Sequence, residues 1–124
     1  MTAELTRHNL VAELFEAIPG LRPGFDEISW EYEMPDGSFG YYGVVEEFIT
    51  RRALVPALLG EPNEFTMPAV RFVERMIASD DDEVAGAAAI SVGEPLHWTG
   101  EELARAAFES PLLSDVIKDL IRHS

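Results

Sequence analysis

Residues 68–93 read PAVRFVERMIASDDDEVAGAAAISVG, and their pattern is the strongest indication of the fold class. Its first half places apolar residues three and four positions apart, which is the spacing of one helix face: Val70, Phe72, Val73, Met76 and Ile77. The acids at 80–83 follow where the exposed N–H groups of a new helix favour negative charge. The alanine-rich run 84–92 permits a close helix approach. The stretch predicts one helical hairpin of the HEAT type.

The flanking sequence predicts further helices. Thr2 is a candidate cap for a first helix that stops at Pro19-Gly20 and carries the stripe Val11, Leu14, Phe15 and Ile18. A helix from Val44 meets Pro56, which we expect to kink or divide it before Gly60 ends it.

Two capping patterns mark the last helices. Thr99 and Glu102 have the spacing of a capping box, and Ser110-Pro111 reads as an N-cap with proline at the first helical position. We therefore expect an all-α fold of about six helices in stacked HEAT-like hairpins, forming a single domain over 1–124. Residues 28–42 leave helix and a short β-hairpin both open, because apolar residues there fit both periodicities around the Pro35-Asp36-Gly37 turn.

Charge is the most informative feature of the composition. The chain has 124 residues, no cysteine and a net charge of -14. Two stretches, 23–50 and 76–104, contain seven acids each and no lysine or arginine, so the nine acids elsewhere balance the nine basic residues. Such a chain repels nucleic acid and anionic membranes. With no apolar run long enough to span a bilayer, and with charges in place of a secretory leader, we expect a cytoplasmic protein.

Signals for catalysis are weak. The absence of cysteine excludes disulfides and thiolate chemistry, and the three histidines lack metal-ligand spacing. His97, next to Trp98, is the first catalytic candidate, although a histidine beside a tryptophan needs no function to explain it. The acids at 80–83 suit helix capping better than calcium, whose loops stagger their ligands. We expect no enzymatic activity, no metal and no cofactor.

The first acidic stretch also contains seven of the twelve aromatic residues. Phe25, Phe39 and Phe48 are expected in the core. Tyr41 and Tyr42 cannot both face inward on one regular element. Tyrosine and tryptophan are enriched at interface hot spots, and surrounding carboxylates steer a basic partner. The predicted partner-binding residues are Trp30, Glu31, Tyr32, Glu33, Asp36, Tyr41, Tyr42, Glu46 and Glu47.

Several segments resemble an uncharacterised family of small acidic bacterial helical proteins, for which immunity to secreted or contact-delivered toxins is the expected role. The segments that carry the resemblance are 13–21 (ELFEAIPGL), 44–48 with Leu58-Leu59, 72–76 (FVERM), 81–84 (DDEV) and 90–96 (ISVGEPL). The resemblance implies an all-helical fold. It also implies a cytoplasmic immunity protein that neutralises a basic toxin domain, and the alternative is a HEAT-like adaptor that binds proteins without inhibiting them.

Overall fold

The computed structural model describes residues 4–124, and within them the chain folds into seven helices with no strand. The bounds are α1 Leu10–Ala17, α2 Arg22–Ile28, α3 41–58, α4 Thr66–Ile77, α5 82–98, α6 Glu101–Glu109 and α7 Asp115–Arg122. Short 3-10 turns cover Pro19–Leu21 and Ser29–Tyr32. The all-α prediction is confirmed. All seven helices contribute side chains to one buried apolar cluster of the described chain.

The first helix begins later than expected. Thr2, its predicted cap, lies outside the described residues, and α1 begins at Leu10. A turn precedes it, in which the N–H of Thr6 donates to Asn9 Oδ1 at 2.7 Å and the N–H of Asn9 donates to Thr6 Oγ1 at 3.3 Å. These local bonds compete with helical ones, so the helix starts only after Asn9. Its end just before Pro19 agrees with the prediction.

Pro56 does not divide α3, because helical structure continues through it. The helix is α-helical over Tyr41–Val45, widens to a π-helix over Glu46–Leu54 and returns to α-helix over Val55–Leu58. Gly60 ends it as predicted, since its φ of 96° allows the N–H of Glu61 to reach the carbonyl of Pro56 at 2.8 Å. The π-helical segment thus extends almost to Pro56.

Helix α5 also contains a π-helical segment that precedes a proline. Its N-cap is Asp81, whose carboxylate accepts the N–H of Glu83 at 3.0 Å, as the acidic turn predicted. The helix widens to a π-helix over Ala89–Gly93 and continues past Pro95 to Trp98. Each π-helical segment therefore ends two residues before a proline.

A proline has no N–H to donate to the carbonyl four residues before it in an α-helix. Here, side chains from elsewhere in the chain donate to the two carbonyls concerned. Pro95 has no N–H for the carbonyl of Ser91, four residues earlier, and the hydroxyl of Thr50 donates to that carbonyl at 2.7 Å. Pro56 likewise has none for Arg52, whose carbonyl accepts from Asn63 Nδ2 at 3.2 Å. The two π-helical segments lie in contact, so the Thr50 bond ties α3 to α5 inside the core.

Both predicted caps of the C-terminal helices are wrong. The N–H of Thr99 still donates to the carbonyl of Pro95, so Thr99 terminates α5, and α6 begins after Gly100. Ser110 accepts the N–H of Leu112 in a local turn, and α7 begins after Ser114. A serine hydroxyl can accept a nearby N–H in a turn as well as at a helix cap.

Within 28–42, Ile28 ends α2 and Tyr41 begins α3, and the residues between them form neither a regular α-helix nor a β-hairpin. Ser29–Tyr32 forms a 3-10 turn, and an isolated antiparallel bridge joins Glu33 to Phe39. Gly37, with φ of 86°, completes the turn, in which the N–H of Met34 donates to the carbonyl of Ser38 at 2.8 Å. The result is a compact loop between α2 and α3, and not a hairpin of two strands.

Candidate protein-binding surface

The loop at 29–40, called the acidic loop below, carries large apolar side chains in solvent. Trp30 is 70% exposed and Met34 is 50% exposed. The carboxylates of Glu31, Glu33 and Asp36 are exposed beside them. Large apolar groups next to unburied acids within one short loop are the composition expected of a binding surface.

Tyr32, one of the predicted partner-binding residues, is half-buried and anchors this loop. Its ring stacks on Phe25 with the centroids 6.4 Å apart, and it lies so close to Gly43 that a Cβ there would sit 3.0 Å from it. Burial raises the pKa of the Tyr32 hydroxyl, and the charges of Glu47 and Glu31 add to the shift. This ring holds the loop onto α2 and α3.

The core assignment of the phenylalanines is confirmed for two of three. Phe25 and Phe48 are buried, with centroids 5.8 Å apart in an edge-to-face arrangement. Phe39 is half-buried and packs edge-on against Phe25 at 5.1 Å. It thus serves as a second anchor of the acidic loop.

Asp36 fixes the tip of the acidic loop. Its Oδ1 accepts the N–H of Ser38 at 2.9 Å and the hydroxyl of Ser38 at 2.6 Å. These two hydrogen bonds stabilise the ionised form and hold the pKa of Asp36 below its usual value. The carboxylate therefore keeps its charge at the exposed tip.

Tyr41 and Tyr42 lie side by side, with ring centroids 4.8 Å apart and both rings half-buried. Both hydroxyls donate to Oε2 of Glu83, at 3.0 and 3.3 Å. Burial, followed by the bond to Glu83, raises the pKa of Tyr41 to about 12, and burial also raises the pKa of Tyr42. The two rings thus connect the start of α3 to the start of α5, which a single sequence pattern does not reveal.

An ion pair continues this network to the N-terminal segment. Arg7 donates from Nη2 to Asp81 Oδ1 at 2.9 Å and from its backbone N–H to Asp81 Oδ2 at 2.7 Å. These hydrogen bonds lower the pKa of Asp81 to about 2. One acid of the second stretch is therefore neutralised by a residue 74 positions away.

The carboxylates of Glu46 and Glu47 are paired with arginines, although both lie in a stretch that contains no lysine or arginine. Arg51 pairs with Glu46 at 3.0 Å and Arg52 pairs with Glu47 at 2.9 Å. Both pairs join residues five positions apart, which the π-helical winding of Glu46–Leu54 brings together. The stretch without lysine or arginine ends at Thr50. Counting the charge within it therefore leaves out Arg51 and Arg52, which follow directly and pair with its glutamates.

Acids without such a partner remain near the acidic loop. Within residues 4–124, no cation lies within ion-pair distance of the carboxylates of Glu27, Glu31, Glu33 and Asp36. All four side chains are exposed. Together with the two exposed apolar residues of the loop they form what we name the Trp30 patch: Glu27, Trp30, Glu31, Glu33, Met34 and Asp36.

The side chain of His97 makes packing and hydrogen-bond contacts with neighbouring helices. Its Nδ1 lies 2.7 Å from the carbonyl of Ile121, and its ring stacks on Trp98 at 4.3 Å and meets Phe108 edge-on at 5.9 Å. These contacts fix α5 against α6 and α7. In the part of the chain that the structure describes, no three histidine, aspartate or glutamate side chains are grouped to hold a metal ion.

Trp98 is a residue that the sequence patterns did not single out as a binding residue. It is 70% exposed, and its Nε1 donates to the carbonyl of Ser124 at 3.0 Å. It lies at the far end of α5 from Glu83, roughly 20 Å along the helix axis. The described chain thus exposes tryptophan at two separate places.

Comparison with models of known families, with curated proteins and with solved structures finds no match for this chain. No helix among residues 4–124 has the length and apolar character that crossing a membrane requires.

Proposed function

We propose that the protein binds a basic protein partner through the Trp30 patch, and that this partner is a toxin domain which it neutralises. The observation that carries the proposal is the exposure of Trp30 and Met34 among four carboxylates that have no ion pair within the described residues. The resemblance to immunity proteins supports the choice of a toxin as the partner.

The two kinds of side chain have different roles in binding. An indole in solvent gains stability when a partner buries it, and truncating such a residue at a hot spot costs on the order of 2 kcal/mol or more. The carboxylates accelerate association with a basic surface and disfavour acidic partners. Because Tyr32 and Phe39 hold the loop in place, little conformational entropy is lost on binding.

Inhibition follows from the same charges. An enzyme that acts on a polyanion has a cleft lined with cations, and the carboxylates of the Trp30 patch would pair with those cations in place of phosphates. We infer that the partner is such an enzyme, for example a nuclease. The acidic surface then blocks the cleft while repelling the substrate.

The experiment screens the domains encoded in the reading frames beside this gene for a basic domain that the protein binds and inhibits, and finding none contradicts the proposal. Reversal of Glu27, Glu31, Glu33 and Asp36 to lysine is expected to abolish inhibition, and Trp30→Ala to weaken binding about thirtyfold. The matched control reverses four exposed glutamates that lie outside the patch: Glu16, Glu61, Glu64 and Glu109. Equal loss in both reversed variants, or none in either, contradicts the proposal.

One observation favours a second candidate function, a non-inhibitory adaptor. Trp98 and Trp30 are both 70% exposed, and they belong to separate regions of the fold. An adaptor would bind one protein at each tryptophan and leave the partner's activity intact. Retained toxin activity in a complex that Trp30→Ala weakens would therefore select the adaptor over the inhibitor.

A further inference from the structure

A groove of about 620 Å³ lies between α1, α2 and the acidic loop. Its inner surface is aromatic: Phe15 stacks on Phe25 with the centroids 4.6 Å apart, and Phe39 meets Phe25 edge-on at 5.1 Å. Val11 and Met34 add aliphatic surface at its sides. The volume is typical of sites that bind small molecules, and an apolar interior of this kind favours an apolar ligand.

The charged residues of this groove differ from those of the rest of the molecule. Arg7, His8 and Arg22 all line it, although the whole sequence has only nine lysines and arginines and three histidines. Asp36 is the acid among the lining residues, and Ser38 already donates two hydrogen bonds to its Oδ1. On a chain with a net charge of -14, these basic side chains are the donors that an anionic group would meet at this groove.

The two arginines differ in their freedom to bind a ligand. Arg7 is held by Asp81 through Nε, Nη2 and its backbone N–H. Arg22 pairs with Asp26 through Nε at 3.0 Å, and its two terminal amino groups have no partner within residues 4–124. Arg22 also stands 5.9 Å from the centre of the Phe15 ring. Its free donors therefore lie beside the apolar floor.

We propose that this groove binds an amphipathic anion, with an apolar chain or ring against the aromatic floor and a carboxylate at Arg22 and His8. A carboxylate fits a guanidinium because two parallel N–H donors meet two oxygens. The apolar part of the ligand contributes most of the affinity, and its carboxylate determines the orientation in which it binds. This site shares Met34 and Asp36 with the Trp30 patch and differs from it in chemistry, because the patch attracts cations and the groove offers the free donors of Arg22 to an anion.

The test uses decanoate as the probe and decylammonium as its matched cation, with binding measured by calorimetry and by amide chemical shifts. Decanoate is expected to bind one per chain and more tightly than decylammonium. Arg22→Ala should weaken decanoate about tenfold, because it removes a charge-assisted hydrogen bond to the carboxylate. Ala12→Trp, at an exposed lining position of α1, should block the groove. Arg71→Ala removes an exposed arginine outside the groove and should change nothing.

Failure of decanoate to bind overturns the proposal, and so does equal binding of decylammonium or an unchanged affinity in Arg22→Ala. Chemical-shift changes at amides remote from the groove would show that decanoate binds elsewhere, and they would also overturn the proposal. If Ala12→Trp disrupts a dimer or the toxin complex while decanoate does not bind, the groove is a protein contact. Thermal melting of each variant verifies its fold. Both substitutions leave the acids of the Trp30 patch intact, so failure here is independent of the proposed inhibition.

Discussion

Replacing Thr50 by valine removes one hydroxyl from the contact between α3 and α5 and keeps the shape of the side chain. Thr50 is 1% exposed, and its hydroxyl donates at 2.7 Å to the carbonyl of Ser91. Pro95 supplies no N–H to that carbonyl. The substitution should therefore leave a buried acceptor without this donor.

The expected loss of stability follows from the cost of a buried polar group without its partner, about 1–3 kcal/mol. Unfolding entropy is about 2.1 cal/mol/K per residue, so a chain of 124 residues loses about 4 °C of Tm per kcal/mol. The expected fall in Tm is therefore about 4–12 °C. The change in urea midpoint, at an unchanged slope, gives the same free energy independently.

A double-mutant cycle with Pro95→Ala isolates the cause. Alanine at position 95 restores an N–H that can bond the carbonyl of Ser91, so Thr50→Val should cost less in that background, by about 1 kcal/mol. Thr99→Val, at an exposed threonine that ends the same helix, serves as the control and should change stability little. A loss below about 0.5 kcal/mol for Thr50→Val, or the same loss in both backgrounds, would refute the reasoning.

Two further predictions concern the acidic turn and the acidic loop. The folded-state pKa of Asp81 is about 2, below its ordinary value of 3.8, so its ion pair stabilises the fold above pH 3.8 and this contribution is lost as pH falls toward 2. Asp81→Asn should flatten the decline of the urea midpoint over that range, and an unchanged pH profile would contradict the assignment. Gly43→Ala should push the ring of Tyr32, 3.0 Å from the added Cβ, and speed amide exchange at 29–40. Gly86→Ala, whose Cβ would meet its nearest atom at 3.9 Å, is the control; equal exchange in both variants would argue against Tyr32 as the anchor.

Local signals predicted some helix boundaries, among them the end of α3 and the start of α5. Gly60 ends α3 because its positive φ suits glycine, and Asp81 caps α5 because its carboxylate reaches an N–H two residues away. Ser110 shows where such signals are ambiguous. The same hydroxyl serves a cap or a turn, and the burial of Leu113 accompanies the turn.

The residues predicted to bind a partner differ in their exposure. Trp30, Glu31, Glu33 and Asp36 are exposed as a binding surface requires, whereas Tyr32 packs onto Phe25. Sequence alternation could not separate these residues, because the 3-10 turn and the single bridge of the loop follow neither period. The groove was not predicted at all, since its lining comes from three segments that meet only in the folded chain.

The all-α class, the apolar faces of the helices and the places where prolines interrupt hydrogen bonding follow from the sequence alone, because each depends on residues within a turn or two of one another. Which charges remain unpaired depends on how the helices pack. Glu46 and Glu47 meet arginines five residues away through π-helical winding, and Asp81 meets Arg7 across 74 positions. Ion pairs depend on distances of a few ångströms, and those distances exist only once the helices have packed.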